Sequence, residues 1–528
     1  MTLQPIWIGG RWQAEPSPEG DIQSYNPRTG EALAPRFPIS GEATLQAALA
    51  AGAEAAEKLR ATDPERIAVF LERCADNLEG RADALVASAH LETGLPVEPR
   101  LKNVELPRTV GQLRQAATAT RERSFCDAHI DTKSDIRSMR GPLGAPVAVF
   151  GPNNFPFAFN AVMGGDFAAA IAAGNPVIAK AHPAQLETTR LLAEAAADAV
   201  THSGLPAGTV QLIYALPSEL GLDLVAHPRL GATAFTGSRR GGLALKAAAD
   251  RAGKPIYLEL SAVNPVFILP GALRERGAAI AKELAGSCTV GAGQFCTKPG
   301  LGILPEGAAA DAFVAELEAA LSAAPSGALF APSSAANISE SVAAWVSHGA
   351  TLRLGGKPRG PGFGFETTLA VVSGSRFLEH AKALQTEAFG PVHLLVLASG
   401  AEQMAAIAGA LHGSLTGSIY SDRQGEDELL ARTIEPRLRQ KVGRLLNDKM
   451  PTGVAVSPAM NHGGPFPSTG HPGFTSVGIP ASITRFTALY CYDAVRPERL
   501  PPELGDHNPT GRMWRSIDGR WSQGDVSR

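Results

Sequence analysis

Long apolar runs, blocks of like charge and paired cysteines are all missing from this sequence of 528 residues. Every apolar stretch is broken by Gly, Asp or Asn, so none reaches the roughly 20 residues that a membrane-spanning helix needs. The opening, Met1-Thr2-Leu3-Gln4-Pro5-Ile6-Trp7, lacks a basic segment running into an apolar one, and no secretory leader is expected. Its 48 basic and 51 acidic residues are interspersed and leave a net charge of −3, which removes the basic footprint that nucleic acid binding requires. Five cysteines (Cys74, Cys126, Cys288, Cys296, Cys491) make neither a disulfide framework nor a CxxC pair, and none of the 12 histidines forms an HExxH pair. A cytoplasmic chain is therefore expected, with mostly buried free thiols and with no nucleic acid, membrane or resident metal partner.

What is present is an ordinary globular composition, 44% hydrophobic and 19% charged, over a length that suits two or three domains. Apolar residues at three-and-four spacing predict helices over 44–59, 64–91 and 102–120. After them 126–140 is polar and β-prone, as a hairpin leaving the domain body would be. Short β-branched runs at 146–150, 176–179 and 210–214 then alternate with helical runs, the signature of a parallel, doubly wound sheet. A second alternation starts at 263, with strands over 266–269 and 300–304 and helices over 273–287 and 313–323. The tail from 465 is rich in Pro, Gly and aromatics, holds one predicted strand at 484–492, and reads as packing or partner-contact material.

Four segments carry candidate chemistry, each with a plain structural alternative. Cys296, in Gly293-Gln294-Phe295-Cys296, sits between glycines and a proline in a loop, where a thiol is either open to substrate or buried and inert. Glu259, within Tyr257-Leu258-Glu259-Leu260, is either a charge on a solvated strand face or a buried carboxyl raised by desolvation toward general-base range. Asn154 follows the strand 147–150, at the end where open α/β sheets build their sites; its amide is either an oxyanion donor or a turn residue. In Phe235-Thr236-Gly237-Ser238 a strand opens into a helix, which gives either a phosphate turn or a simple helix cap.

Together these segments resemble the aldehyde dehydrogenase superfamily from Ile8-Gly9-Gly10 almost to the end of the chain. Six motifs stand in the family's order. They are Gly151 to Pro156, Gly174-Asn175-Pro176-Val177-Ile178-Ala179-Lys180, Phe235 to Ser238, Leu258-Glu259-Leu260, Gly293 to Cys296, and Glu387-Ala388-Phe389-Gly390-Pro391. The resemblance implies an α/β fold with a Rossmann-like cofactor domain (1–125 and 145–258) and an α/β catalytic domain (259–464). It also implies a small β oligomerisation element with the C-terminal tail (126–144 and 465–528), in a homodimer or homotetramer. By the same resemblance Cys296 attacks the aldehyde carbon, Asn154 and the Cys296 N–H hold the oxyanion, and Glu259 activates the water that hydrolyses a thioester. Retention of Glu259 favours water over coenzyme A as acyl acceptor. Lys180, Glu387 and Phe389 are expected at the cofactor riboses, and Gly237 and Ser238 at its pyrophosphate.

NAD-preferring members carry a glutamate three residues after the lysine, where this sequence has Pro183. Loss of that carboxylate, with Lys180 and His182 nearby, implies NADP, with NAD still possible. Lys180-Ala181-His182-Pro183, the helix around Arg108 and the segments His462-Gly463-Gly464-Pro465 and Asp506-His507-Asn508-Pro509 are similar to the NADP-linked α-ketoglutaric semialdehyde (2,5-dioxovalerate) dehydrogenases. NADP-dependent fatty aldehyde dehydrogenases share part of the pattern. Arg108 is then either a carboxylate clamp or a surface arginine, and Phe155, Phe157, Phe295 and Phe466 are expected along the substrate tunnel.

Overall fold

A computed structural model describes every residue except Met1, Ser326 and Arg528. Three sheets organise it. The first runs, in spatial order, Ile256–Glu259, Ala232–Thr236, Val147–Phe150, Val177–Lys180, Val210–Ile213, Ile6–Ile8 and Arg11–Gln13. The first five strands in that order are parallel, and the two N-terminal strands extend the other side antiparallel. Strand order reverses beside Val147–Phe150, because the chain winds outward through Val177–Lys180 on one side and returns with Ala232–Thr236 on the other. The crevice beyond the carboxyl ends there is where open α/β sheets bind ligands.

Helices cover this sheet as the apolar spacing predicts. Glu42–Leu59 buries Leu45, Ala48, Leu49, Gly52, Ala55, Ala56 and Leu59 along one stripe. The single helix expected over 64–91 is two, Pro64–Gly80 and Ala82–Thr93, divided at Arg81. Gly80 weakens the helix there, and Arg81 turns to pair with Asp198 and Glu194. The helix expected from 102 starts as a π-helical stretch, Val97–Glu105, and continues as Leu106–Glu122.

The second sheet runs Thr351–Leu354, Thr368–Ser373, Val392–Ala398, Leu301–Pro305, Pro265–Ile268, Ser414–Tyr420 and Val442–Asn447. All pairs but the first are parallel. In the third sheet the hairpin Ala128–Asp131 and Ile136–Pro142 pairs with Thr487–Asp493 across seven residues. Two strands not expected from the tail, Arg515–Ile517 and Arg520–Ser522, extend it on the other side. The fully buried Arg515 donates to the carbonyls of Gly505 and Gly524, closing a loop that has little apolar content of its own. Among the described residues no helix is long and apolar enough to cross a membrane.

Candidate active site

The carboxyl edge of the first sheet faces the amino edge of the second, and the chemistry-bearing residues meet between them. Register alone sets much of this. Lys180 is level with Phe150, Phe150 with Phe235, and Thr236 with Glu259, so three of the motifs end on one line. Cys296 arrives from the opposite side, in a turn just before Leu301–Pro305, and Glu387 just before Val392–Ala398.

Asn264 and Lys298 hold the turn that carries Cys296. The Asn264 amide donates to the carbonyls of Cys296 (2.8 Å) and Lys298 (3.0 Å), while its oxygen accepts from the Thr416 N–H at 3.1 Å. The buried Lys298 ammonium donates to the carbonyls of Ala388 (2.9 Å), Gly390 (3.1 Å) and Val392 (2.7 Å). It thereby ties the turn to the segment bearing Glu387. Gly293 takes a left-handed φ of +69°, and a Cβ there would collide with the Gly390 carbonyl, so the two segments touch through a position only glycine fills.

Cys296 Sγ lies 3.4 Å from His462 Nε2, which lies 2.8 Å from Glu259 Oε1; Ser476 donates to the other carboxylate oxygen at 2.9 Å. Glu259 and His462 are each 2% exposed, whereas Cys296 is only partly buried and remains reachable. Burial alone pushes the Glu259 carboxyl up, as the sequence leads one to expect. Attraction to His462 and hydrogen bonds from His462, Ser476 and Cys296 outweigh it, so the carboxyl sits below its ordinary value. The expected upward shift is corrected accordingly: polar partners from the tail replace the lost solvent. Burial and the adjacent Glu259 raise the Cys296 thiol well above its ordinary value, opposed by Arg108. At rest Cys296 is a thiol beside the Glu259 carboxylate.

The tail does more here than pack. Thr469 bridges to Glu259, the Ser468 carbonyl accepts the Leu260 N–H, and Ser476 reaches the carboxylate itself. His462 belongs to a segment noted for its sequence alone, and no spacing rule links position 462 to 259 and 296. Asn154 is buried and donates to the Gln294 carbonyl at 3.0 Å, which brings it against the Cys296 loop. Its own carbonyl accepts from Arg100, whose guanidinium pairs with the buried Glu105. Glu105 also accepts the N–H groups of Phe157 (2.9 Å) and Ala158 (3.1 Å), so a buried carboxylate shapes the Asn154 loop.

Arg108 is not a surface arginine. Its Nε donates to Gln112 (3.0 Å) and Nη1 to the Val454 carbonyl (2.8 Å), while Nη2 is buried without a hydrogen-bond partner among the described residues. The guanidinium lies 5.7 Å from the ring centre of Phe155 and 5.3 Å from that of Phe159. Phe155, Phe159 and Phe295 form one small apolar cluster with Val477. Two of the four expected tunnel residues fall elsewhere. Phe157 is fully buried in the main core, where the Glu105 anchor turns its side chain under the sheet. Phe466 is 64% exposed on a loop whose backbone packs on Gly413. Phe159, two residues beyond Phe157, is the one that packs with Phe155 and His462.

On the cofactor side, burial lowers the Lys180 ammonium to about 8, and no acid among the described residues pairs with it. Burial and then the Lys180 charge lower His182 to about 3, so it is neutral. Pro183 is exposed. Ser238 caps the helix Arg239–Arg251 by accepting the Gly241 N–H, as the helix-cap reading has it, and the turn follows the strand Ala232–Thr236 beside the switch-point crevice. Glu387, raised by burial against a hydrogen bond from Ser261 and the attraction of Lys298, is half-buried, as is Phe389. A crevice with a capped helix start, an unpaired buried lysine and a carboxylate at its far side fits a dinucleotide.

A family model described as the aldehyde dehydrogenase family matches residues 12–464. The chain belongs to the aldehyde dehydrogenase family. It is 40% identical over 509 residues to α-ketoglutaric semialdehyde dehydrogenase 2 of Azospirillum brasilense, covering 93% of this chain and 94% of that one. It is 37% identical to α-ketoglutaric semialdehyde dehydrogenase of Acinetobacter baylyi, covering 88% and 89%. Among solved structures, aldehyde dehydrogenase C of Pseudomonas syringae, as a mutant with NAD+ and octanal, superposes with a TM-score of 0.79 at 23% identity, covering 94% and 98%. This aldehyde dehydrogenase is therefore an NAD(P)-dependent oxidoreductase acting on an aldehyde, with the fold of its family.

Proposed function

We propose that this aldehyde dehydrogenase oxidises α-ketoglutaric semialdehyde to α-ketoglutarate with NADP, in the cytoplasm, where its free thiols persist. The observation that carries the reading is Arg108. A buried guanidinium with an unused Nη2 N–H, held over the phenylalanines beside Cys296, is set for the far carboxylate of a short oxo-dicarboxylic chain. A second unused donor, Arg100 Nε, lies over the same Phe155 ring, its guanidinium 4.5 Å from the ring centre. The names of the two relatives agree with this substrate.

In the reaction, Cys296 Sγ attacks the aldehyde carbon as the thiolate, its proton leaving to solvent. Asn154 and the Cys296 N–H receive the oxyanion. NADP supplies the hydride acceptor that turns the thiohemiacetal into a thioester. Glu259, held by Ser476 and His462, then takes a proton from the attacking water. Lys180 and Glu387 would hold the two riboses, Gly237 and Ser238 would lie against the pyrophosphate, and Phe389 would also contact the cofactor. With Pro183 where a carboxylate would repel it, a 2′-phosphate meets the unpaired Lys180. Residues 1–125 and 145–258 form the cofactor domain and 259–464 the catalytic domain. Residues 126–144 and 465–528 form the oligomerisation element, whose outer strand Thr487–Asp493 exposes Leu489 along an unpaired edge.

The test is kcat/KM for α-ketoglutaric semialdehyde, succinic semialdehyde and octanal, with NAD and NADP, in wild type and Arg108→Ala. Loss of charged hydrogen bonds worth about 1.5–3 kcal/mol should raise KM for the semialdehyde roughly tenfold or more and spare octanal. Equal losses for both, or a wild-type preference for octanal, would reject the substrate.

A further inference from the structure

Cys296 Sγ, His462 Nε2 and Glu259 Oε1 come from three segments far apart in sequence, and their ligand atoms all lie within 4.8 Å of one another. For a tetrahedral Zn²⁺ with bonds near 2.3 Å to sulfur and about 2.0–2.2 Å to nitrogen and oxygen, ligand atoms stand roughly 3.3–3.6 Å apart. The observed Sγ to Nε2 separation of 3.4 Å already meets this. Nε2 and Oε1, at 2.8 Å, need to part by about half an ångström, the step from sharing a proton to sharing a cation.

The surroundings suit an ion as well. Ser476 donates to Glu259 Oε2 and leaves Oε1 for coordination, and the Thr475 hydroxyl accepts the His462 N–H at 2.9 Å, fixing the backbone that carries the imidazole. Two ligands are buried, and the third, Cys296, is partly open toward the substrate side. That arrangement gives an ion an entry path and leaves a fourth position for water. Thiolate and imidazole select Zn²⁺ over Mg²⁺ or Ca²⁺.

We infer that Cys296, His462 and Glu259 form a reversible inhibitory zinc site that competes with aldehyde. Zn²⁺ forms bonds to Sγ, Nε2 and Oε1; the S–H bond breaks and its proton leaves to solvent, the hydrogen between Nε2 and Oε1 is released while Nδ1 takes one up, so His462 binds as the neutral Nδ1–H tautomer, and nothing is oxidised or reduced. With Sγ coordinated, no bond to an aldehyde carbon can form, and chelation restores the thiol. The inhibitory consequence rests on Cys296 being the nucleophile, as proposed above; the coordination does not.

The test uses the full chain with Co²⁺ and Zn²⁺ as separate probes. Co²⁺ should give one equivalent of tetrahedral absorption with a sulfur charge-transfer band, displaced by Zn²⁺ and untouched by Mg²⁺ or Ca²⁺. The isosteric Cys296→Ser should abolish the sulfur band, His462→Gln should weaken binding at least tenfold, and Cys491→Ser, at the exposed cysteine, should change nothing. Zn²⁺ should inhibit competitively with aldehyde, with full recovery on adding EDTA. A band that survives Cys296→Ser, or no binding by micromolar metal, overturns the site. Stoichiometric binding without inhibition supports the coordination and instead refutes Cys296 as the nucleophile. Since Cys296→Ser changes one buried atom, it keeps the test decisive should His462→Gln misfold.

Discussion

Lys298→Met separates the turn that carries Cys296 from the segment that carries Glu387. The ammonium is 3% exposed and donates to three carbonyls, of Ala388, Gly390 and Val392. Methionine fills nearly the same volume but offers no donor. Three charged hydrogen bonds at about 1.5 kcal/mol each, the low end for such donors, come to ~4–5 kcal/mol. Burial lowers the Lys298 pKa, so removing the ammonium also relieves a desolvation cost that offsets part of this. A net loss of ~2–4 kcal/mol is expected, visible as a Tm lower by roughly 2–4 °C in thermal unfolding. Function should respond separately, because Gly293 touches Gly390 and the two segments share the clamp. Below the new Tm, KM for the cofactor should rise several-fold while the circular dichroism spectrum stays native. A Tm within 1 °C of wild type together with an unchanged cofactor KM would refute the clamp.

Two further outcomes follow from the site. Lys180 is cationic only below about 8, so NADP affinity should be greatest near neutral pH and fall up to tenfold per pH unit above 8. Affinity for NAD should stay flat, and Lys180→Met should flatten the NADP curve; titrations monitored by fluorescence quenching decide this. Glu259→Gln preserves the hydrogen-bonded shape around Ser476 but accepts no proton. It should give one rapid equivalent of reduced cofactor per site and then turnover lowered about 100-fold or more, with an acyl adduct on Cys296 visible by intact-mass measurement. Undiminished steady-state turnover would remove Glu259 from the hydrolysis step.

The order of the motifs, the alternation of short β-branched runs with amphipathic helices, and the ends at Lys180, Glu259 and Asn154 were all legible along the chain. These depend on local patterns: strand period, helix period, and the rule that open α/β sheets act at their carboxyl edges. The third sheet was legible only in part. Arg515–Ile517 and Arg520–Ser522 are three residues each, too short for a periodic signal, and a buried arginine does much to hold their loop.

What the sequence by itself determined is which groups exist for the chemistry: a thiol, a carboxylate, an amide and an unpaired lysine, in a fixed order. Only tertiary structure decided their electrical and steric company. Glu259 looked destined for a raised pKa because its neighbours in sequence are apolar, yet the groups that set it, His462 and Ser476, lie 203 and 217 residues away. Phe157 and Phe159 are interchangeable by pattern, and the Glu105 anchor on the Phe157 N–H is what sends one into the core and leaves the other beside His462. Local spacing encodes faces and ends; it carries no term for the distant side chain that replaces water.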